Sequence, residues 1–136
     1  PIFMKYLTLL LLIFSTVLPV QAQKKNSDEE AIKALLERET KAFFEIDYKT
    51  WSESWSHVPH AFWSFADTTD VNSFSGWENI EKGFSEYFKT SKPSKAKIER
   101  SDFHITIYGN SAYVRYKQQV NDDSIRPPQE EVRVLE

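Results

Sequence analysis

The sequence predicts an α+β domain in which helices cover one face of a curved antiparallel sheet, and three observations predict it. Apolar residues in the first half recur at helical spacing behind helix-start signals. Those in the second half alternate with polar ones on both sides of a Gly109-Asn110 turn, and helical runs followed by strand runs give segregated α+β layers. Finally, the 136 residues include no cysteine, so a hydrophobic core rather than disulfides must hold the fold.

Both ends of the chain bound the reading. Lys5, the apolar run Leu7–Leu18 and the small-residue site Val20-Gln21-Ala22 form a signal peptide over residues 1–22. Its apolar run, about a dozen residues, is short of the ~20 that span a bilayer. Met4 reads as the natural start, leaving residues 1–3 untranslated. The product is expected to be exported, periplasmic or secreted, and free of the membrane after cleavage. Residues 23–136 suffice for one domain and are too few for two. A net charge of −3, with both signs mixed along the chain, gives no footprint for nucleic acid or an anionic membrane. At the other end, the alternation of Glu130–Glu136 runs to the last residue, which reads as a C-terminal truncation that exposes a strand edge.

Ser27-Asp28-Glu29-Glu30 reads as a capping box opening a helix over 28–45, with Ile32, Leu35, Leu36, Phe43 and Ile46 on its apolar side. Lys33, Glu37, Arg38 and Lys41 take the other side, Glu37 and Lys41 being spaced as an i,i+4 ion pair. Asp47 reads as the N-cap of a shorter helix carrying Trp51 and Trp55 on one face. Pro59 biases Val58 away from helix, and the aromatic run Ala61–Ala66 is a strand closed by the polar turn Asp67–Asp70. Ser75-Gly76-Trp77-Glu78 is a second capping box, opening a helix to about Lys89 with Trp77, Ile80, Phe84, Tyr87 and Phe88 along one side.

A long strand, 96–108, changes phase: Ile98 falls on even positions, Phe103, Ile105 and Ile107 on odd ones. That predicts a β-bulge near Arg100–Asp102 and a bent strand. Ser111–Val120 pairs back antiparallel, with Ala112, Val114, Tyr116, Gln118 and Val120 on one face and Tyr113, Arg115, Lys117 and Gln119 on the wet one. A loop through Pro127-Pro128 leads to a last strand from Glu130.

The four tryptophans, Trp51, Trp55, Trp63 and Trp77, lie close together in the chain, and side chains that each bury roughly 150–250 Å² line either a core or a pocket. Gln118, on an otherwise apolar face, needs hydrogen-bond partners. Acid–base catalysis would require a titratable group inside, and the candidates are Asp67, Asp102 and His60, the last at the mouth of the first strand. His104 points away from the apolar face. No His-x-x-x-His or cysteine spacing marks a metal site, no calcium-hand pattern follows Asp67, no G-x-S-x-G elbow promotes a serine, and no cofactor is read.

Ala31–Phe44, Asp47-Tyr48-Lys49-Thr50-Trp51, Gly76-Trp77-Glu78-Asn79-Ile80, the hairpin Tyr108–Val114 and Glu131–Glu136 together resemble the nuclear transport factor 2-like superfamily, specifically its secreted SnoaL-like proteins. The resemblance implies a cone-shaped fold with three helices on a curved sheet, the last strand here continuing into a further, tryptophan-containing one. It also implies a homodimer through the sheet and a small apolar or polycyclic ligand between the long helix and the concave sheet. Trp51, Trp55, Trp63, Trp77, Tyr116 and Gln118 are then the lining residues. Because this superfamily hosts isomerases, dehydratases and cyclases beside proteins that only bind, two readings stand. One is an exported binding or interaction domain without catalysis. The other is a small isomerase, dehydratase or cyclase using Asp102 or Asp67 with His60 and Tyr116. A carboxylate within hydrogen-bond reach of His60 or Tyr116, inside a cavity, separates them.

Overall fold

A computed structural model describes residues 26–121 and 127–136, so the expected signal peptide lies outside the described residues. The fold is mixed α+β. Helix α1 covers residues 26–44 and α2 Tyr48–Ser52; the hairpin β1 (Phe62–Ala66) and β2 (Val71–Ser75) precedes α3 (Trp77–Thr90), and β3 (Lys97–Tyr108), β4 (Ser111–Asn121) and β5 (Gln129–Leu135) follow. All pairings are antiparallel, in a two-stranded sheet β1-β2 and a three-stranded sheet β3-β4-β5. Two compact units divide at Leu36 and Glu37, within α1. The described part of the first is the helical stretch 26–36, with an i,i+3 ion pair of 2.8 Å between Lys33 and Glu30. The second, residues 37–136, holds every other element.

Two of the expected caps are not formed. Asn26 is already helical, so Ser27 stands inside α1 instead of capping it. Ser75 is the last residue of β2, and the N-cap of α3 is Gly76, at φ 82 with no side-chain cap bond. Glycine is required there because a Cβ would have a strained backbone and would meet the Pro59 carbonyl oxygen at 3.3 Å. The expected Glu37–Lys41 pair is replaced by Lys41 with Glu45, at 3.8 Å.

The corner after α1 matches expectation. Ile46 takes a left-handed conformation, φ 60, while Asp47 N–H bonds back to Ala42 O at 2.9 Å, a helix end that glycine usually makes. Asp47 then caps α2, its Oδ1 accepting from Thr50 N–H at 3.1 Å. The tight corner swings Trp51 onto Ala42 and Ile80, and Phe43, Trp55, Trp63, Phe74, Trp77, Phe84 and Phe88 pack around that trio. Trp55 lies just beyond the end of α2. Strand β2 has no counterpart in the sequence reading, because Val71-Asn72-Ser73-Phe74-Ser75 alternates too weakly to stand out. Its partner β1 and the turn held by Asp67 Oδ1, which accepts from Thr69 and Asp70 N–H, define it instead.

In the second sheet the predicted bulge is present: pairing slips between Ser101 and His104, and Asp102 sits at φ 55. The slip lets Ile98 and Arg100 share a face with Phe103, Ile105 and Ile107, all half-buried, while His104 is exposed as expected. Strand β4 alternates as predicted, Ala112, Val114, Tyr116, Gln118 and Val120 being buried.

Candidate functional site

Register decides what stands beside Tyr116 and Gln118. Across β4, Gln118 faces Arg100 on β3 and Gln129 on β5; Tyr116 faces Glu131, and Val114 faces Arg133. Directly opposite residues in an antiparallel pair share a face. The covered face of the sheet therefore carries a polar block, Arg100, Tyr116, Gln118, Gln129, Glu131 and Arg133. Apolar residues flank it: Ile105, Ile107, Ala112, Val114 and Leu135 on one side, Ile98 and Val120 on the other. Strand β5 inverts the pattern its composition suggests. Val132 and Val134 are 53% and 70% exposed, while Glu131 and Arg133 turn in.

Helix α1 brings Glu39 and Thr40 to the block. Arg100 Nη2 donates to Thr40 Oγ1 at 2.6 Å, and Thr40 donates to Glu39 Oε2 at 3.1 Å. The other Glu39 oxygen accepts from Trp51 Nε1 at 3.1 Å, tying the block to the aromatic core. Arg100 also lies over the Tyr116 ring, 5.6 Å from its centroid, and Phe103 stacks on that ring at 5.1 Å. Arg133 Nη2 pairs with Glu131 at 3.1 Å. Burial pulls the Arg133 guanidinium pKa down, but the charges of Glu39, Tyr116 and Glu131 outweigh it and hold it above its ordinary value.

Among the described residues, three buried polar atoms of the block have no hydrogen-bond partner, Tyr116 Oη, Gln118 Oε1 and Arg133 Nε, and the same holds for Trp55 Nε1 in the aromatic core. Arg133 and Tyr116 come close enough for a loose side-chain hydrogen bond to help raise the Arg133 pKa, but the contact falls outside good hydrogen-bond geometry and leaves Tyr116 Oη and Arg133 Nε without a well-formed bond. Native interiors leave few such atoms, and each costs about 1–3 kcal/mol unless something satisfies it. Tyr116 and Gln118 are only 1% and 7% exposed, so bulk water does not reach them freely.

The structure sorts the sequence candidates into three groups. Trp51, Tyr116 and Gln118 belong to or border the polar block, with Trp55 one ring away at 6.0 Å from Trp51. Trp63 and Trp77 are elsewhere in the aromatic core: Trp63 stacks on Phe74 at 5.4 Å, and Trp77 stacks on His57 at 4.1 Å. The catalytic candidates are not brought together. His60 is 71% exposed beside Glu136, Asp67 holds its own turn, and Asp102 pairs with Lys117 at 2.7 Å on the outer face. No carboxylate bonds Tyr116 Oη, so the acid–base constellation of Asp102 or Asp67 with His60 and Tyr116 is not assembled.

Asp102 belongs to a hollow of about 570 Å³ at the bulge, lined also by Phe103, His104, Arg115, Lys117 and Glu130. Its charges pair among themselves, Lys117 with Asp102 and Arg115 with Glu130 at 3.2 Å, so it differs from the apolar enclosure typical of small-molecule sites. Among the described residues no group of three His, Asp or Glu side chains could hold a metal ion.

The exposed carboxylates shape the response to acid. Asp47, Asp67 and Asp102 are held below the usual carboxylate range by hydrogen bonds from Thr50, from Thr69 and from Lys117, respectively. A carboxylate depressed in the folded state stabilises above its unfolded pKa and loses that contribution as pH falls through its folded one. Stability is therefore expected to decline below about pH 4, and Asp67→Asn to flatten the decline. Thermal denaturation of the two proteins across the acid range checks this, an unchanged slope being the contrary result.

Four residues of the block, Arg100, Gln129, Glu131 and Arg133, and the helical pair Glu39 and Thr40 escaped the sequence reading. Arg100 was detectable, since it shares the even phase of Ile98 before the bulge. Compared with family models, with curated proteins and with solved structures, the chain has no significant match.

Proposed function

We propose that this protein is an exported small-molecule-binding domain of the SnoaL-like, nuclear transport factor 2-like type, and that its ligand meets the polar block on the covered face of β3-β4-β5. One observation carries the reading: unpartnered buried polar atoms gather where Tyr116, Gln118 and Arg133 converge on one sheet face. A sequence selected for stability alone would place apolar groups there, because a buried polar group without a partner costs desolvation that an apolar group of the same shape avoids. Keeping the groups makes sense when a ligand completes their bonds. Binding is the reading this site favours: among the described residues the carboxylate facing Tyr116, Glu131, is paired with Arg133, and Asp67, Asp102 and His60 lie elsewhere.

The test is a pair of near-isosteric substitutions, Tyr116→Phe and Gln118→Met. Each is expected to raise the stability of the ligand-free protein by about 1 kcal/mol, by deleting an unsatisfied group. Each is also expected to weaken binding of small ring compounds, followed by quenching of tryptophan fluorescence, to which Trp51 and Trp55 contribute. Both substitutions destabilising the free protein would mean that the groups are already satisfied within the fold, and the reading would fall.

A further inference from the structure

The polar block specifies more than a place. Resting on the binding reading above, we infer that the ligand is electrically neutral and carries both a hydrogen-bond acceptor and a donor, as an amide or a hydroxy-ketone does. The acceptor meets Tyr116 Oη and Arg133 Nε, and the donor meets the Gln118 amide.

Charge counting comes first. Among the described residues, two cations, Arg100 and Arg133, face two anions, Glu39 and Glu131, within the block and the helix turn above it. Arg133 is paired with Glu131, and Arg100 is engaged by Thr40 and the Tyr116 ring. The other described neighbours, Thr40, Gln129 and Trp51, carry no charge. A carboxylate or phosphate entering this block would thus be a surplus negative charge, which burial penalises heavily unless a free cation answers it. A cationic ligand would be surplus in the opposite sense.

The donor and acceptor pattern comes second. Arg133 Nε can only donate. Tyr116 Oη can do either. Gln118 places an amide that, turned either way, seeks a neutral polar edge of the same kind. Tyr116 and Gln118 stand two residues apart on β4, so their Cα atoms are about 6.5 Å apart, as two residues of strand rise require. A one- or two-ring frame with polar groups at opposite ends spans such a distance. Ile98 and Val120 on one side and Val114, Ile105 and Leu135 on the other give the frame apolar surface to cover.

Matched pairs of compounds test the inference. Hydroxynaphthamide and hydroxynaphthoate share one frame and differ in an amide against a carboxylate, and one-ring and three-ring analogues extend the series. Binding is read from the side-chain amide resonance of Gln118 and the indole N–H resonances of Trp51 and Trp55 in nuclear magnetic resonance titrations. The expected result is that the amide member of at least one pair binds about tenfold or more tighter than its carboxylate. Gln118→Met is expected to erase that preference, and Tyr116→Phe to reduce it. Carboxylates binding as tightly as amides, or tighter, overturn the neutral ligand while leaving the binding reading intact. If no member of any pair shifts these resonances, ordered water satisfies the block, and both the inference and the binding reading fail.

Discussion

Replacing Trp51 with alanine is expected to cost about 3–5 kcal/mol, the range for truncating a large buried aromatic. In a domain whose total stability is of order 5–15 kcal/mol, much of the protein would then be unfolded at moderate temperature. The physical reason is that Trp51 serves two structures at once. Its ring is 1% exposed and lies 4.8–5.4 Å from Phe88 and Phe84 and 5.6 Å from Trp77, so truncation opens a void at the centre of the aromatic core. Its Nε1 donates to Glu39 Oε1, so truncation also leaves a half-buried carboxylate short of a donor next to the polar block. Trp51→Phe separates the two contributions, keeping most of the packing while losing the bond. It is expected to cost less than half as much in chemical denaturation and to perturb ligand binding out of proportion to stability. Equal losses from both substitutions would show that the indole N–H bond, rather than ring volume, dominates the stabilisation.

How much of this was legible in the sequence depends on whether local or distant residues decide each feature. Strand β4 could be read directly, because alternation with one buried face fixes which side each residue takes. The bulge in β3 could be read from the phase change between Ile98 and Phe103, since a strand cannot keep both on one face without an extra residue. Asp47 was legible as a cap because its role is settled within three residues. By contrast, β5 could not be oriented: Val132 and Val134 look like its inward side, yet pairing of Arg133 with Val114 turns them out. That choice is made by a strand about twenty residues away, and nothing inside the segment carries it. The polar block was obscured for the same reason, as Arg133, Arg100 and Glu39 meet only through sheet register and helix placement. Of the tryptophans, composition announced a cluster but could not tell core from site. Trp63 and Trp77 stack on Phe74 and His57, and Trp51 alone hydrogen-bonds into the block.

Gly83 gives the second large prediction, and propensity and packing there point in opposite directions. Gly83 lies inside α3, where alanine would normally stabilise a helix by up to about 1 kcal/mol. A Cβ at this position, however, would come within 2.5 Å of two atoms of the Phe74 ring and 2.9 Å of a third. The ring has little freedom to retreat, being stacked on Trp63 at 5.4 Å and placed edge-on to Phe84 at 5.9 Å. Overpacking of this kind costs typically 1–3 kcal/mol, so Gly83→Ala is expected to destabilise by about 1–2 kcal/mol net. Because Phe74 belongs to β2, that loss should appear as a loosening of the β1-β2 hairpin against α3. A double-mutant cycle with Phe74→Leu isolates the clash: the smaller side chain makes room, so alanine at 83 is expected to become neutral or stabilising in that background. A destabilisation that persists unchanged with leucine at 74 would mean that the cost does not lie in the ring contact, and the close seating of the hairpin on the glycine face of α3 would lose its support.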